Sequence, residues 1–246
     1  QFIRSFFTSR IDYLQSIRKF RDIETFFKSK MLFCRSTFTP VSFLDGKKFI
    51  LFPLHVIPEK STSVDAPLFT HHYTYLKDLA LTLPPDVFIC VKEHVHMLGI
   101  RPAEFYRSIL TLPRVILVDP RPDIFPLIYR SSGIACITST TGLEGAFMNK
   151  PVLICSNTTI YSDLPYVFDY SRPDGLHMFI DFLQNPSKFD VNKNSSDCIR
   201  LLAYLFDVSF PINSSTIWKA SLPPHPLSAE EKDLAFFEPY INYVIN

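Results

Sequence analysis

The chain has 246 residues, 47% of them hydrophobic and 20% charged, a globular composition with room for about one and a half domains. Its 25 Lys and Arg stand against 24 Asp and Glu, and a net charge of +1 excludes a broad electrostatic footprint for nucleic acid while leaving room for a local anion site. No apolar run approaches the roughly 18 residues of a membrane span, and the opening QFIRSFFTSR has neither the apolar core nor the cleavage site of a secretory signal. We therefore expect a soluble, cytoplasmic chain with at most peripheral association at the inner face of a membrane. Five cysteines (Cys34, Cys90, Cys136, Cys155, Cys198) without C-x-x-C spacing read as buried, reduced thiols. The N-x-[ST] triplets at Asn157, Asn194 and Asn213 read as chance matches.

In chain order, Ile11, Leu14, Ile17, Phe20, Ile23 and Phe27 recur at three- and four-residue steps among charged residues, which predicts an amphipathic helix or helix pair. Five runs with the continuous apolar character of strands buried on both faces follow: 49–54, 87–91, 115–118, 134–138 and 152–155. Between them the pattern predicts helices over 71–83, 102–110, 124–130 and 142–149. The alternation is that of a doubly wound α/β domain, a Rossmann-like parallel sheet flanked by helices. Further helices are expected at 176–183, 199–206 and 229–244, the last N-capped by Ser228, after an extended SLPPHPLS linker. The expected domains are a helical connector or remnant of an N-terminal lobe at 1–45, a nucleotide-binding domain at 46–190 and a C-terminal helical segment at 191–246.

In an open parallel sheet, ligands bind beyond the carboxyl ends of the strands. The residues that follow the five runs are polar. They are His55 and Glu59 after the first, Lys92, Glu93 and His94 after the second, and Asp119 and Arg121 after the third. The fourth leads through Thr138, Ser139, Thr140 and Thr141 to Gly142 and Glu144, and the fifth leads to Tyr161. Hydroxyls and a glycine just before a helix make an anion site, because free N–H groups and the helix dipole point at whatever docks there. Lys92 and His94 add positive charge from the neighbouring strand. Taken singly, Ser139, Thr140 or Thr141 caps a helix, His94 is a hydrogen-bonded histidine and Glu144 complements a dipole. Their convergence at one sheet edge points instead to a phosphate-bearing ligand. On a strand His94 and His96 would share a face, but no third ligand is placed by spacing, so no metal is expected. G-x-G-x-x-G, the P-loop, H-E-x-x-H, G-x-S-x-G and D-x-D are all absent.

The blocks FPLHVIPEKSTS (52–63), VKEHVHMLG (91–99), VILVDP (115–120), ITSTTGLEGAF (137–147) and KPVLICSNTTIYSDLPYV (150–167) resemble, in order, those of the bacterial capsule polysaccharide biosynthesis family, which includes the retaining β-Kdo transferases. The resemblance implies the C-terminal, donor-binding lobe of a GT-B glycosyltransferase whose substrate is a nucleotide-sugar donor (CMP-Kdo or similar), with no cofactor and no metal. It implies that Lys92 and His94 act catalytically on the donor phosphate, that Ser139, Thr140 and Thr141 bind the same phosphate, and that Glu144 holds ribose hydroxyls. His55, Glu59, Thr138, Gly142 and Tyr161 complete the substrate-binding set. The implied partners are the nucleotide sugar, a glycan or glycolipid acceptor, and a missing N-terminal lobe or partner subunit carrying the catalytic carboxylate. Val95 stands where the family has proline and Gly145 where it has alanine, the latter loosening the helix start by up to about 1 kcal/mol. Two other functions fit the same plan: a sugar-nucleotide epimerase or polyol-phosphate transferase, and a non-catalytic nucleotide-binding or scaffolding lobe.

Overall fold

The computed structural model describes residues 24–28, 30–32, 37–69 and 71–208. Most of the expected N-terminal helix, the linker, the helix at 229–244, Cys34 and Asn213 lie outside them; residues 24–28 and 30–32 are helical. The chain divides into two compact units, 1–201 and 202–246, and the sheet lies wholly within the first.

Six parallel strands form that sheet: β1 (Lys48–Pro53), β2 (Val87–Lys92), β3 (Val115–Val118), β4 (Gly133–Ala135), β5 (Val152–Ile154) and β6 (Val167–Asp169). Their spatial order is β3-β2-β1-β4-β5-β6, the order of the Rossmann dinucleotide-binding fold. The helices that return the chain are α1 (His72–Thr82), α2 (Ala103–Leu110), α3 (Phe125–Arg130), α4 (Thr140–Phe147), α5 (Gly175–Gln184) and α6 (Val191–Val208).

Alternation along β1 explains why the sheet is covered on both sides. Ile50 and Phe52 join a core with Leu76 and Leu79 of α1, Ile109 of α2 and Phe179 of α5. Phe49 and Leu51 join the opposite core with Leu127 and Ile128 of α3 and Ala146 of α4. Burying a Leu, Ile or Phe contributes about 1.5–3 kcal/mol, and β1 is buried from Phe49 to Pro53, so this strand anchors both layers.

The element boundaries depart from the sequence expectation in ways with local causes. β4 ends at Ala135 rather than Thr138, although Cys136 N–H still donates to Leu153 O and Cys155 N–H to Ile137 O, so pairing with the β5 strand fades gradually. α4 begins at Thr140, two residues before Gly142, with Ser139 as its N-cap residue. α6 begins at Val191, eight residues before the expected Ile199. β6 has no counterpart among the expected strands: it has three residues, and only Phe168 of them is fully buried. His94 and His96 do not share a strand face, because β2 ends at Lys92 and the next residues form a 3-10 turn, Val95–Met97.

The described cysteines Cys90, Cys136, Cys155 and Cys198 are buried free thiols, and burial pushes the Cys90 thiol up to about 12. Asn194 is fully buried, its amide donating to Ala146 O at 3.1 Å and Asn149 Oδ1 at 2.8 Å, which leaves no room for a glycan. No helix among the described residues is long and apolar enough to cross a membrane.

Candidate functional site

The strand order reverses between β1 and β4, because β2 and β3 lie to one side and β5 and β6 to the other. Loops that leave such a switch point diverge and open a crevice at the carboxyl end of the sheet. A cleft of about 530 Å³ lies there, lined by the loops after β1, β2, β3 and β4. His55, Glu59, Lys92, His94, Thr138, Ser139, Thr140, Thr141 and Glu144 all line it. Gly142 and Tyr161 do not. They are buried behind the α4 N-terminus, where the Tyr161 hydroxyl donates to Ser139 O at 2.7 Å. A Cβ at Gly142 would sit 2.6 Å from that hydroxyl oxygen and 2.9 Å from the Cys136 sulfur, so glycine is required for packing here.

The α4 N-terminus opens onto the cleft. The Ser139 hydroxyl is buried beside the Cys136 thiol and does not cap the helix. Gly142 N–H donates to Ser139 O at 3.0 Å, whereas the N–H groups of Thr140 and Thr141 precede the first intrahelical bond. Tyr161 and Gly142 pack against the loop from behind, and Thr140 and Thr141 of the first turn line the cleft.

Lys92 closes β2. Its Nζ donates to Pro120 O at 2.5 Å, and the residue is buried. Burial lowers its pKa, while Asp119 and Asp123 act to hold the charge. An ammonium has three donors, and Lys92 lines the cleft with one of them committed to Pro120 O. Arg121, a further cleft cation, forms a bidentate pair with Asp119.

His94 is exposed at the cleft wall. Its Nδ1 accepts from His96 N–H at 3.3 Å, which leaves Nε2 as the protonated nitrogen of the neutral ring and a ready donor. Burial, then the neighbouring His96, lowers its pKa below the usual histidine value. Among the described residues no group of three or more His, Cys, Asp or Glu side chains is placed to hold a metal ion.

His55 has a different character. It is buried, its Nε2 accepts from Ile137 N–H at 3.3 Å, and its backbone N–H donates to His72 Nε2 at 3.2 Å. Burial, with Arg101 next in weight, pulls its pKa down to about 4, so the ring is neutral and serves as an acceptor. Glu144 is half-buried, and burial and then Asp123 raise its carboxyl above the ordinary value.

Two residues, Glu93 in the cleft lining and Arg101 outside it, carry no role in the sequence reading. Glu93 is buried and receives the Arg101 Nε at 2.6 Å, the Tyr106 hydroxyl at 2.8 Å and the His94 N–H at 2.7 Å. Arg101 Nη2 also donates to His55 O at 2.6 Å. A signal was present, because a carboxylate directly after a strand buried on both faces needs a cationic partner.

No protein-family model matches the chain, and no curated protein matches its sequence. Among solved structures it is similar to KpsC of Thermosulfurimonas dismutans, a β-Kdo 2,7 transferase, with 22% identity over 51% of this chain and 38% of that one and a TM-score of 0.42. It is also similar to S. aureus MnaA with UDP, with 13% identity over 70% of this chain and 49% of that one and a TM-score of 0.39. The UDP-GlcNAc 2-epimerase of Neisseria meningitidis bound to UDP-GlcNAc gives 16% identity over 78% of this chain and 52% of that one, with a TM-score of 0.40. The chain thus spans about half or less of each neighbour's length. Likenesses of this degree assign no activity, which rests on the chain's own cleft.

Proposed function

We propose that this chain is the nucleotide-binding lobe of a metal-independent, GT-B-type sugar transferase that takes a CMP-activated sugar, with Kdo or a related 2-keto acid as the sugar. The observation that carries the reading is the convergence, in the switch-point crevice, of the α4 N-terminus with Lys92 and His94. Departure of a nucleoside monophosphate puts negative charge on its phosphate. Preorganised donors aimed at that charge lower the barrier without reorganising at the moment of bond cleavage.

Each group has a distinct part in that step. The first-turn N–H groups and hydroxyls of Thr140 and Thr141 receive phosphate oxygens, Lys92 supplies a fixed positive charge, and His94 donates from Nε2. Glu144 accepts ribose hydroxyls. His55 contacts no ligand in this reading; it holds the loops that do. Glu59 lines the cleft mouth near His94 and belongs to the sugar side. The acceptor, a surface glycan or glycolipid, and the base that activates it belong to a further lobe or a partner subunit.

A thermal-shift comparison of CMP, UDP, GDP and CDP, each with and without EDTA, tests the reading. At a hundred times its dissociation constant a ligand adds about 2.7 kcal/mol of stability. CMP is expected to give the largest shift, unchanged by EDTA. A chain that none of the four stabilises is a scaffold rather than a donor-binding lobe.

A further inference from the structure

The Arg101–Glu93 ion pair stands at the edge of the cleft, with Glu93 in its lining and Arg101 outside it. Arg101 belongs to the connection before α2 and is not among the residues that line the cleft, yet its hydrogen bonds run to two of the cleft loops and reach a third through the His55 ring. Nε and Nη2 hold the Glu93 carboxylate at 2.6 and 3.3 Å, and Nη2 also donates to His55 O at 2.6 Å. From Glu93 the chain of contacts reaches His94, whose N–H lies 2.7 Å from Oε1. From His55 it reaches the loop after β4, through the 3.3 Å bond from Ile137 N–H to Nε2. The Tyr106 hydroxyl and the Phe105 ring, 2.8 Å from Glu93 and 5.0 Å from the guanidinium, fix the pair from α2.

We infer that Arg101 is a positioning residue for the anion cleft: through Glu93 and His55 it sets His94, on the β2 side of the switch point, in register with the Ile137–Thr141 loop on the β4 side. The geometry explains why arginine is needed. A planar fork can span a carboxylate and a carbonyl at once, whereas a lysine ammonium is a point charge that satisfies one well and the other poorly. Simple stabilisation is a weak reason to bury such a pair, because desolvation of both charges offsets most of their attraction. Joining the loop after β2 to the loop after β4, which are not paired because β1 lies between their strands, is a stronger one. The inference rests on the cleft being a nucleotide site only for its consequence on binding; the coupling of the loops stands on its own geometry.

Arg101→Lys in the full chain tests it. The other side of Arg101 lines a second cavity of about 320 Å³ with Met31, Leu32 and Ile100, so a shorter ammonium has space and the variant is expected to fold. Three quantities are compared with wild type: the hydrogen exchange of the Ile137 amide relative to that of Ile89 in β2, the titration of the His94 ring by NMR, and CMP affinity. General destabilisation speeds both amides together. Positioning predicts selective loss of protection at Ile137, a displaced His94 titration, and CMP binding weaker by at least about tenfold, the scale of one charge-assisted hydrogen bond. Equal loss at Ile137 and Ile89, with an unchanged His94 titration and unchanged CMP affinity, overturns the inference. If wild type itself does not bind CMP, the nucleotide reading fails, and the exchange and titration readouts still decide the positioning role. Glu93→Gln, which keeps the shape and removes the charge, must displace the same two readouts; if it leaves both at wild type, the inference is overturned as well.

Discussion

The ring of His55 accepts the Ile137 amide hydrogen at 3.3 Å across 82 residues of sequence, joining the loop after β1 to the loop after β4 where the strand order reverses. Only an unprotonated Nε2 can accept. With its pKa pulled down to about 4 by burial, the native state excludes a proton that the unfolded chain binds near 6.5. The unfolded state therefore holds more protons between these values, and stability must fall as pH drops through that window. Urea unfolding from pH 7 to pH 4 is expected to show a loss approaching about 3 kcal/mol from His55 alone. His72, also lowered by burial, adds in the same direction. Stability that stays flat from pH 6.5 to 4 would show that His55 is protonated in the native protein.

Gly145 stands where the resembling family has alanine, and the packing supplies the reason. A Cβ there would lie 2.1 Å from Ile134 Cδ1 in the closed core under α4. Gly145→Ala is expected to cost about 1–3 kcal/mol from overpacking, despite a helix-propensity gain of about 1 kcal/mol. Adding Ile134→Val removes the clashing methyl, and the double variant should recover most of the loss. Thermal melts of the two variants and of Ile134→Val alone decide it. A double variant no better than Gly145→Ala would refute the packing explanation.

His94 and His96 touch, with ring centroids 5.2 Å apart, but their expected roles differ. His96 contributes its backbone N–H to His94 Nδ1, and alanine keeps that group. His96→Ala should leave CMP affinity within about twofold, whereas His94→Ala should lose a charged hydrogen bond, about 1.5–3 kcal/mol. A bound phosphate favours the imidazolium and raises the His94 pKa above its lowered free value. Binding then takes up a proton, so affinity should increase as pH falls through the pKa of the complex and level off below that of the free protein. Equal losses in the two alanine variants would remove His94 from the phosphate.

Glu144 tests the sugar side of the nucleotide. Glu144→Gln keeps the shape of the side chain but replaces one acceptor oxygen by a donor. It should weaken CMP binding by roughly 1 kcal/mol or more while leaving inorganic phosphate unaffected, because the proposed partners are ribose hydroxyls. The same loss should follow when wild type is given the 2′-deoxy nucleotide. Calorimetric titration of both ligands against both proteins would reject the assignment if phosphate and CMP weakened alike.

Most of the sheet was legible because its strands are buried on both faces and appear as unbroken apolar runs such as FILFP and VFICV. β6 was not, since Val167 and Asp169 flank a single buried Phe168 and three residues carry no period. The cleft wall was legible through the rule that ligands sit beyond the carboxyl ends of parallel strands. Tyr161 passed that test by sequence position, yet it turns inward to support Ser139, and only the packing of Gly142 against it shows why. Arg101 escaped notice for the opposite reason. Arginine is almost never fully buried, and eight residues separate it from the carboxylate it neutralises.

In the proposed complex the phosphate reaches the α4 N-terminus at the switch point. Backbone amide NMR with CMP added in steps reads that directly. The largest shifts are expected at Thr140 and Thr141, with His94 moving along the same saturation curve and Val167 of β6 remaining still. Saturable shifts confined to residues away from the loops after β2 and β4, or amides of Thr140 and Thr141 that do not move at saturating CMP, would contradict it.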